Sequence, residues 1–236
     1  MKNILILGGS SEIGINLISK LLKKNLNIFA HYSTKSKNLK SFKNKKLKLI
    51  RLNFDAINNK NVNNKLKKKF NFKYDVIINL IGYIDKKSFE KTTLDSMYNS
   101  IKNNALIPML IIQKSSEYMC TKSWGRILNC SSIGVKFGGS EKSFNYSLSK
   151  HCLEFIPGIY KKWAKKNVLI NNLRIGVTNT KIHKKLGKHK QLKSRIKLIP
   201  IGRMASTNEI SDFILHLVDE KNSFTTNQTF SISGGE

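Results

Sequence analysis

The sequence has few of the features that place a protein in a membrane or in an oxidising compartment. It contains only three cysteines, Cys120, Cys130 and Cys152, which are well separated and lie outside any CxxC or Cys/His cluster. No stretch approaches the roughly 18 consecutive apolar residues of a membrane-spanning helix. The apolar run at residues 4–7 is closed by glycine and is too short for a signal peptide. We therefore expect a soluble cytoplasmic protein with no metal site and no membrane partner.

Acidic residues are scarce, with 14 aspartates and glutamates against 43 lysines and arginines, and the net charge is +29. Such a charge often indicates nucleic-acid binding, but proteins that read nucleic acids rely on arginine forks and interleaved aromatic residues. Only five of the basic residues are arginines, and lysines are dispersed through residues 33–73. We expect no nucleic-acid partner and retain that function only as an alternative. The charge should instead favour anionic ligands.

A linker rich in proline, glycine or serine is missing, and so are internal repeats. Proline occurs only three times in 236 residues, and short apolar stretches alternate with stretches of helical periodicity. This alternation predicts an α/β fold, a Rossmann-type doubly wound parallel sheet of about seven strands with helices on both faces. We expect a single domain over residues 1–236. The predicted strands are residues 2–7, 27–32, 46–52, 74–80, 126–130, 168–175 and 228–232.

Two long helices are predicted on either side of the fifth strand. The first covers residues 94–120 and contains Pro108, which removes a backbone hydrogen bond and distorts the helix near Asn104. The second follows the fifth strand and is predicted to run to about Lys165. Residues 181–199 are basic and weakly patterned, which is typical of a mobile substrate lid.

The first strand leads directly into a glycine-rich turn and then a helix. Gly8 and Gly14 bracket the segment GGSSEIG, and apolar residues at helical spacing follow it. Such a turn lets the backbone approach a pyrophosphate and directs the amides of the helix N-terminus at it. The pattern alone is weak, because glycines also serve ordinary turns. Together with the alternating strands it predicts a dinucleotide site, and the domain is then NAD(P)-binding.

The end of the second strand bears on the choice of cofactor. An acidic side chain there binds the ribose hydroxyls of NAD, whereas a basic or hydroxylated loop accommodates the 2′-phosphate of NADP. Residues 31–37 read HYSTKSK and contain no carboxylate. We therefore favour NADP(H) over NAD(H), with Ser33 and Lys35 as binding residues. The alternative is that Lys35 and Lys37 are ordinary surface lysines.

Residues 131–150, SSIGVKFGGSEKSFNYSLSK, contain a pair suited to proton transfer. Tyr146 and Lys150 are four residues apart, which places them on one face of a helix, about 6 Å apart along its axis. A tyrosine has a pKa of about 10, and a nearby cation favours its ionised form. The pair therefore predicts a proton-transfer site. The alternative is a chance spacing, because lysine is frequent in this sequence.

In combination, these motifs resemble the short-chain dehydrogenase/reductase family, in its short single-domain branch, over nearly the whole chain. The order and spacing of the motifs make the resemblance specific. They are GGSSEIG at 8–14, NLIG at 79–82, Asn104 four residues before Pro108, the serine pair at 131–132, Tyr146 with Lys150, RIGVTNT at 174–180, PIGRM at 200–204 and ISGG at 232–235. The last two motifs are similar to those of 3-oxoacyl-[acyl-carrier-protein] reductases.

The resemblance implies an oxidoreductase that moves a hydride between nicotinamide and a carbonyl or secondary alcohol. Tyr146 would protonate the carbonyl oxygen, and Lys150 would lower the pKa of Tyr146 and hold the nicotinamide ribose. Ser132 would orient the substrate, with Ser131 as the alternative because the interval to the tyrosine is longer than usual. Asn104 would anchor a water in a proton relay through Lys150. The implied cofactor-binding residues are Gly8, Ser10, Ser11, Ile13, Gly14, Ser33, Lys35, Asp55, Asn79, Gly82, Tyr146, Lys150, Gly176, Thr178 and Thr180.

Glu12 departs from the family pattern, since a glycine is usual there. A carboxylate beside a pyrophosphate is repulsive unless it turns outward, although an acid in the first helical turn suits the helix dipole. We expect weaker or differently shaped cofactor binding. The implied partners are a small or carrier-bound carbonyl substrate, with a 3-oxoacyl thioester as one candidate, and further copies of the chain in a homodimer or homotetramer. The alternative function is a non-catalytic NADP(H)-binding regulator or scaffold, although such proteins usually lose one of the proton-transfer residues.

Overall fold

The computed structural model describes residues 1–34, 37–85, 87–180 and 194–236. The strands are β1 Asn3–Leu7, β2 Asn27–Tyr32, β3 Leu47–Arg51, β4 Val76–Asn79, β5 Gly125–Ser132, β6 Val168–Ile175 and β7 Thr229–Ile232. They form one parallel sheet in the order β3-β2-β1-β4-β5-β6-β7. The doubly wound α/β sheet predicted from the sequence is confirmed.

Helices cover both faces of the sheet. They are α1 Glu12–Leu21, α2 Lys37–Lys40, α3 Val62–Lys69, α4 Leu94–Ile101, α5 Ile107–Thr121, α6 Phe144–Leu153, α7 Tyr160–Ala164 and α8 Thr207–Val218. The central strand β1 shows why both faces are covered, because successive side chains point to opposite faces. Ile4 and Ile6 pack in the core beneath α1 and α8, whereas Leu5 and Leu7 pack in the core beneath α3, α5 and α7.

The strand order reverses between β1 and β4, and this reversal creates the crevice of the molecule. From β1 the chain moves outward to β2 and β3, and it then returns to β4 on the other side of β1. Connections leave the carboxyl ends of β1 and β4 in opposite directions, which opens a ligand-binding crevice at that edge. Gly8 directly follows β1, and Gly82 lies three residues after β4. Both segments singled out from the sequence therefore border this crevice.

The long helix predicted before β5 is interrupted by a single π-helical turn, Lys102–Leu106, between α4 and α5. The Ile107 N–H donates to the Lys102 carbonyl, five residues earlier instead of four. Pro108 follows and has no N–H to donate. The distortion predicted from Pro108 is therefore a π turn, and Asn104 lies fully buried within it.

The helix that contains Tyr146 is shorter than the sequence predicts. The prediction that it runs to about Lys165 is wrong, because α6 ends at Leu153 and α7 begins only at Tyr160. Pro157 lies between them, where it lacks an N–H donor and disfavours helical geometry in the residue before it. The Tyr146–Lys150 pair thus belongs to a helix of ten residues that packs against α4 and the π turn.

Candidate active site

The glycine turn joins β1 to α1 at the crevice. Gly8 has a φ of +76°, and a Cβ there would lie 2.8 Å from the Leu80 carbonyl oxygen. The Gly8 carbonyl accepts from the Ser11 N–H at 3.1 Å, and the Ser11 hydroxyl accepts from the Gly14 N–H at 3.1 Å, which caps α1. At Gly14 a Cβ would lie 2.6 Å from the Gly9 carbonyl oxygen. The turn therefore presents bare backbone, the form in which a pyrophosphate can be approached closely.

Three further side chains of this segment were singled out from the sequence. Ser10 is half-buried within the turn, and Ile13 packs its side chain against the core. Their predicted contacts with a cofactor stay predictions. Glu12 is the first residue of α1 and is half-buried. Its place in the first helical turn suits the helix dipole, as expected.

His31 belongs to this part of the site, although the sequence pattern did not single it out. It is 2% exposed, and its Nδ1 accepts from the Gly8 N–H at 3.3 Å. Its Nε2 lies 2.8 Å from the Leu52 carbonyl oxygen, and its ring stacks on Phe54 at 4.4 Å between centroids. The available signal was a single polar residue near the end of the apolar strand NIFAHY.

Ser132 and Tyr146 meet where β5 ends and α6 begins. The Ser132 hydroxyl is hydrogen-bonded to the phenol of Tyr146 and accepts from the Gly134 N–H at 3.2 Å. Ser131 is buried, and its hydroxyl donates to the Lys150 backbone carbonyl at 3.5 Å. Of the two serines, Ser132 is therefore the one that the fold brings to the phenol.

The surroundings of Tyr146 raise the pKa of its phenol to about 12. Burial disfavours the phenolate more than the hydrogen bond from Ser132 favours it. The predicted lowering of this pKa by Lys150, together with an oxidised cofactor, stays a prediction. The Lys150 Nζ lies 5.7 Å from the centroid of the phenol ring and is engaged with backbone carbonyls. At neutral pH the phenol is protonated and is a proton donor.

Lys150 is 2% exposed and lies between the ends of β4 and β5. Its Nζ donates to the carbonyls of Ile81 and Cys130, each at 2.6 Å. Burial lowers the pKa of Lys150 to about 8, and the charges of Cys130 and Glu154 offset part of that effect. The ammonium is thus held at the carboxyl edge of the sheet, on the same helix face as Tyr146.

Asn104 links the loop after β4 to α6. Its Oδ1 accepts from the Tyr83 N–H at 2.7 Å, and its Nδ2 donates to the Tyr83 carbonyl and to the Ser149 hydroxyl, both at 2.8 Å. The Ser149 hydroxyl donates in turn to the Tyr146 carbonyl at 2.7 Å. The side chain of Asn104 therefore connects the Tyr83 backbone to the helix that carries Tyr146. Its predicted part in a water relay through Lys150 stays a prediction.

The other two polar residues of the π turn reach the loop after β3. The Lys102 Nζ donates to the carbonyls of Asp55 and Ile57 at 3.2 and 3.4 Å. The Asn103 Nδ2 donates to the Asp55 carboxylate at 3.4 Å and to the Asn99 carbonyl at 2.8 Å. Asp55 is exposed at the crevice edge, where the resemblance assigns it to the cofactor. The buried Lys102 carried no sequence signal, because it is one lysine among many.

Asn79, predicted to bind the cofactor, is 0% exposed and belongs to a row of asparagines across the sheet. Its Nδ2 donates to Asn129, whose Nδ2 donates to Asn172, each at 3.4 Å. Its Oδ1 accepts from the Ile81 N–H at 3.1 Å. This side chain therefore links neighbouring strands, and the predicted cofactor contact at Asn79 stays a prediction. Gly82 is exposed, and no described atom lies within 4 Å of where its Cβ would be.

The end of β2 has the polar, carboxylate-free character that the sequence predicts. The Ser33 hydroxyl donates to the Asn53 side-chain oxygen at 3.0 Å in an exposed position. Lys35, the second predicted residue, lies outside the described residues.

The opposite side of the crevice is formed after β6. Gly176 packs against the last segment of the chain, since its Cβ would lie 2.6 Å from the Ser233 Cα. The Thr178 hydroxyl donates to the Gly176 carbonyl at 3.1 Å, and the Thr180 hydroxyl donates to the Thr178 carbonyl at 3.4 Å. Residues 181–193 of the predicted lid lie outside the described residues.

The arrangement around the crevice fits a dinucleotide. Bare glycine backbone and a helix N-terminus lie at its centre, open space lies above Gly82, and a buried lysine lies beside a tyrosine at one end. In the described ranges, no group of three or more His, Cys, Asp or Glu side chains is placed to hold a metal ion. None of the helices described is long and apolar enough to cross a membrane.

Comparisons with known proteins agree with this geometry. A family profile described as enoyl-(acyl carrier protein) reductase matches residues 10–236. The chain is 32% identical over 163 residues to a 3-oxoacyl-[acyl-carrier-protein] reductase of Aquifex aeolicus, and the matched region covers 68% of this chain and 64% of that protein. A protein of the same name from Buchnera aphidicola is 27% identical over 239 residues, which cover 99% of this chain and 96% of that protein.

A solved structure shows the same fold over the full chain. A 4-hydroxyisoleucine dehydrogenase mutant complexed with NADH and succinate is 25% identical and superposes with a TM-score of 0.83. The superposition covers 99% of this chain and 98% of that chain.

Proposed function

Because the family match over residues 10–236 makes this chain a member of the short-chain dehydrogenase/reductase family of NAD(P)-dependent oxidoreductases, we propose that it is an NADP(H)-dependent enzyme that interconverts a carbonyl compound and a secondary alcohol. The observation that supports the proposal best is the cluster of Ser132, Tyr146 and Lys150 at the ends of β4 and β5. This cluster borders the same crevice as the glycine turn, so proton transfer and cofactor binding are adjacent.

The chemistry that a nicotinamide cofactor supplies here is hydride transfer to the carbonyl carbon. Tyr146 donates its phenolic proton to the carbonyl oxygen during reduction and takes a proton back during oxidation. Ser132 orients that oxygen with the hydroxyl that is hydrogen-bonded to the phenol. A phenol with a pKa of about 12 is protonated at pH 7 and can therefore supply this proton.

Lys150 stabilises the negative charge that remains on Tyr146 after proton transfer. A fixed ammonium in a buried site interacts with a developing anion more strongly than it would in water. With a pKa of about 8, Lys150 is mostly charged at pH 7. Its two carbonyl partners fix its position before the phenol loses its proton. We assign to the same ammonium the contact with the nicotinamide ribose.

The critical test is Tyr146→Phe, which removes only the phenolic oxygen. Reduction of a 3-oxoacyl thioester or of a reactive ketone should fall by about 10²–10⁴-fold, the usual contribution of a general acid. Binding of NADPH, followed by its fluorescence, should change little. Tyr160→Phe is the matched control, because Tyr160 packs at the core edge on α7. Near wild-type reduction by Tyr146→Phe would disprove the assignment.

The preference for NADP(H) is supported by the end of β2. An NAD-specific site needs a carboxylate for the ribose hydroxyls, and residues 31–37 contain none. Ser33 and Asn53 present hydroxyl and amide groups at this edge instead. Dissociation constants for NADPH and NADH should be compared at one ionic strength. Tighter binding of NADH would contradict the proposed preference.

We propose a 3-oxoacyl thioester as substrate, small or attached to a carrier. The relatives from Aquifex and Buchnera are named 3-oxoacyl-[acyl-carrier-protein] reductases, and the net charge of +29 suits an acidic carrier or a phosphate-bearing one. A substrate panel with NADPH oxidation followed by absorbance tests the class. NADPH binding without turnover of any thioester or ketone would favour the non-catalytic regulator instead.

We further propose that the chain assembles as a homodimer or homotetramer. Large apolar side chains are exposed on α4, in the π turn and after α6, where the sequence allows either core or interface. These are Leu94, Leu106, Phe155 and Ile159, which are 81%, 45%, 70% and 43% exposed. Sedimentation equilibrium measures the assembly, and a monomer at micromolar concentration would contradict it.

A cytoplasmic location completes the proposal. The three cysteines are free thiols, as suits a reducing compartment. Recovery of the protein from a membrane or secreted fraction would contradict this location.

A further inference from the structure

His31 is connected to two segments that border the cofactor crevice. It lies next to last in β2, and its side chain crosses beneath the glycine turn. Its ring nitrogens contact the N–H of Gly8 on one side and the carbonyl of Leu52 on the other. Its backbone carbonyl also accepts from the Gly9 N–H at 2.8 Å. His31 therefore contacts two successive amides of the glycine turn and Leu52, the residue that follows β3.

The two ring contacts require one tautomer of the neutral imidazole. The Gly8 N–H is a donor, so Nδ1 must be the acceptor, and the Leu52 carbonyl is an acceptor, so Nε2 must have the proton. Burial lowers the pKa of His31 to about 4, with the bond to the Leu52 carbonyl opposing that shift. The ring is thus neutral under ordinary conditions, and stacking on Phe54 limits its rotation.

Both contacts lead to residues that the proposed function assigns to the cofactor. Gly8 begins the turn that presents its backbone to the pyrophosphate, and it has little freedom because it already lies against the Leu80 carbonyl. Leu52 is followed within three residues by Asn53 and Asp55, at the predicted adenosine end. The ring of His31 therefore lies where a change in either segment would be transmitted to the other.

We propose that His31 is a positioning residue for NADP(H), which sets the spacing between the glycine turn and the loop after β3 through its two ring nitrogens. This inference rests on the proposed function, because it assumes that the crevice binds a nicotinamide cofactor. It makes His31 important for cofactor affinity and not for proton transfer, since Tyr146 is on the far side of β1 and β4.

Three substitutions separate the two ring contacts. In His31→Asn the side-chain oxygen takes the position of Nδ1 and can accept from Gly8, whereas in His31→Gln the longer side chain reaches the position of Nε2 and can donate to Leu52. His31→Phe keeps the stacking on Phe54 and makes neither hydrogen bond. Because the proposed role needs both ring contacts, we expect the NADPH dissociation constant to rise about tenfold or more in His31→Phe, and by a smaller factor in His31→Asn and His31→Gln, which each keep one contact. The value of kcat at saturating NADPH should stay within about twofold.

The controls keep this inference distinct from the proposed function. Wild-type protein that binds neither NADPH nor NADH would overturn both. If the wild type binds the cofactor, an unchanged affinity in the Asn variant or in the Gln variant would overturn only the positioning role of His31, as would unchanged affinity in the Phe variant. If the Phe variant does not fold, the Asn and Gln pair still decides the question. Nitrogen-15 NMR of the wild-type imidazole should show the Nε2–H tautomer, and the opposite tautomer would also overturn the inference.

Discussion

Replacing Asn104 with alanine should weaken the fold and the active site together. The substitution removes three hydrogen bonds of 2.7–2.8 Å and leaves two partly buried partners, the backbone groups of Tyr83, and one buried partner, the Ser149 hydroxyl. Asn104 is 0% exposed. An unsatisfied buried polar group costs about 1–3 kcal/mol, so allowing for partial relaxation we expect a loss of about 3–4 kcal/mol in the free energy of unfolding. That is a large fraction of the stability of an ordinary domain.

Equilibrium denaturation in urea, followed by tryptophan fluorescence, measures this loss. Asn103→Ala is the matched control, because the neighbouring asparagine makes one bond of 2.8 Å to Asn99 and one longer bond of 3.4 Å to Asp55. We expect it to cost about 1 kcal/mol. Asn104→Ala should also lower kcat, since the backbone of Tyr83 is no longer held against α6. Equal losses in the two variants would refute the bracing role of Asn104.

Three other predictions concern the turn, acid stability and the end of α6. Gly14→Ala should weaken NADPH binding at least tenfold and lower the free energy of unfolding by about 1–3 kcal/mol, because the added Cβ would lie 2.6 Å from the Gly9 carbonyl oxygen. Unchanged NADPH binding would contradict a close approach of the cofactor to this turn. The pKa of His31 is about 4 in the folded protein, so between pH 6.5 and about 4 the unfolded protein takes up a proton at His31 and the folded protein does not. Over that range the free energy of unfolding should fall by about 3 kcal/mol more in the wild type than in His31→Asn. Parallel curves of unfolding free energy against pH would exclude this. Glu154→Gln breaks an ion pair with Arg174 that has two hydrogen bonds, of 2.6 and 2.9 Å. It should lower the free energy of unfolding, measured by urea denaturation, by about 2 kcal/mol. The control Glu220→Gln, at an exposed ion pair, should change it little, and equal effects in the two variants would argue against a stabilising role of the Glu154–Arg174 pair.

The elements of the sheet were predictable because their signals are local. β2 and β6 have the predicted bounds, and β4 occupies residues 76–79 of the predicted 74–80. Each consists mainly of apolar residues and is long enough for a buried strand. The helix break at Pro157 was also readable. Apolar spacing continues past that residue, and spacing alone predicts the wrong helix when a proline interrupts the hydrogen bonds.

The chemistry of the site was only partly predictable. Tyr146 and Lys150 follow from a spacing of four on one helix, and the glycine turn follows from its place between a strand and a helix. The burial of Asn79 did not follow, because a polar side chain at the end of a strand can point either to the crevice or along the sheet. Its neighbours in the asparagine row come from strands that are 50 or more residues away in sequence.

Local sequence therefore specified the strands, the approximate positions of the helices, the glycine turn and the candidate proton donor, because each depends on residues a few positions apart. Tertiary structure decided the rest. It selected Ser132 over Ser131 at the phenol, placed His31 against a glycine 23 residues earlier, and joined Asn104 to Tyr83 across 21 residues. It also decided that burial raises the pKa of Tyr146 to about 12, because desolvation depends on every segment that closes over the side chain.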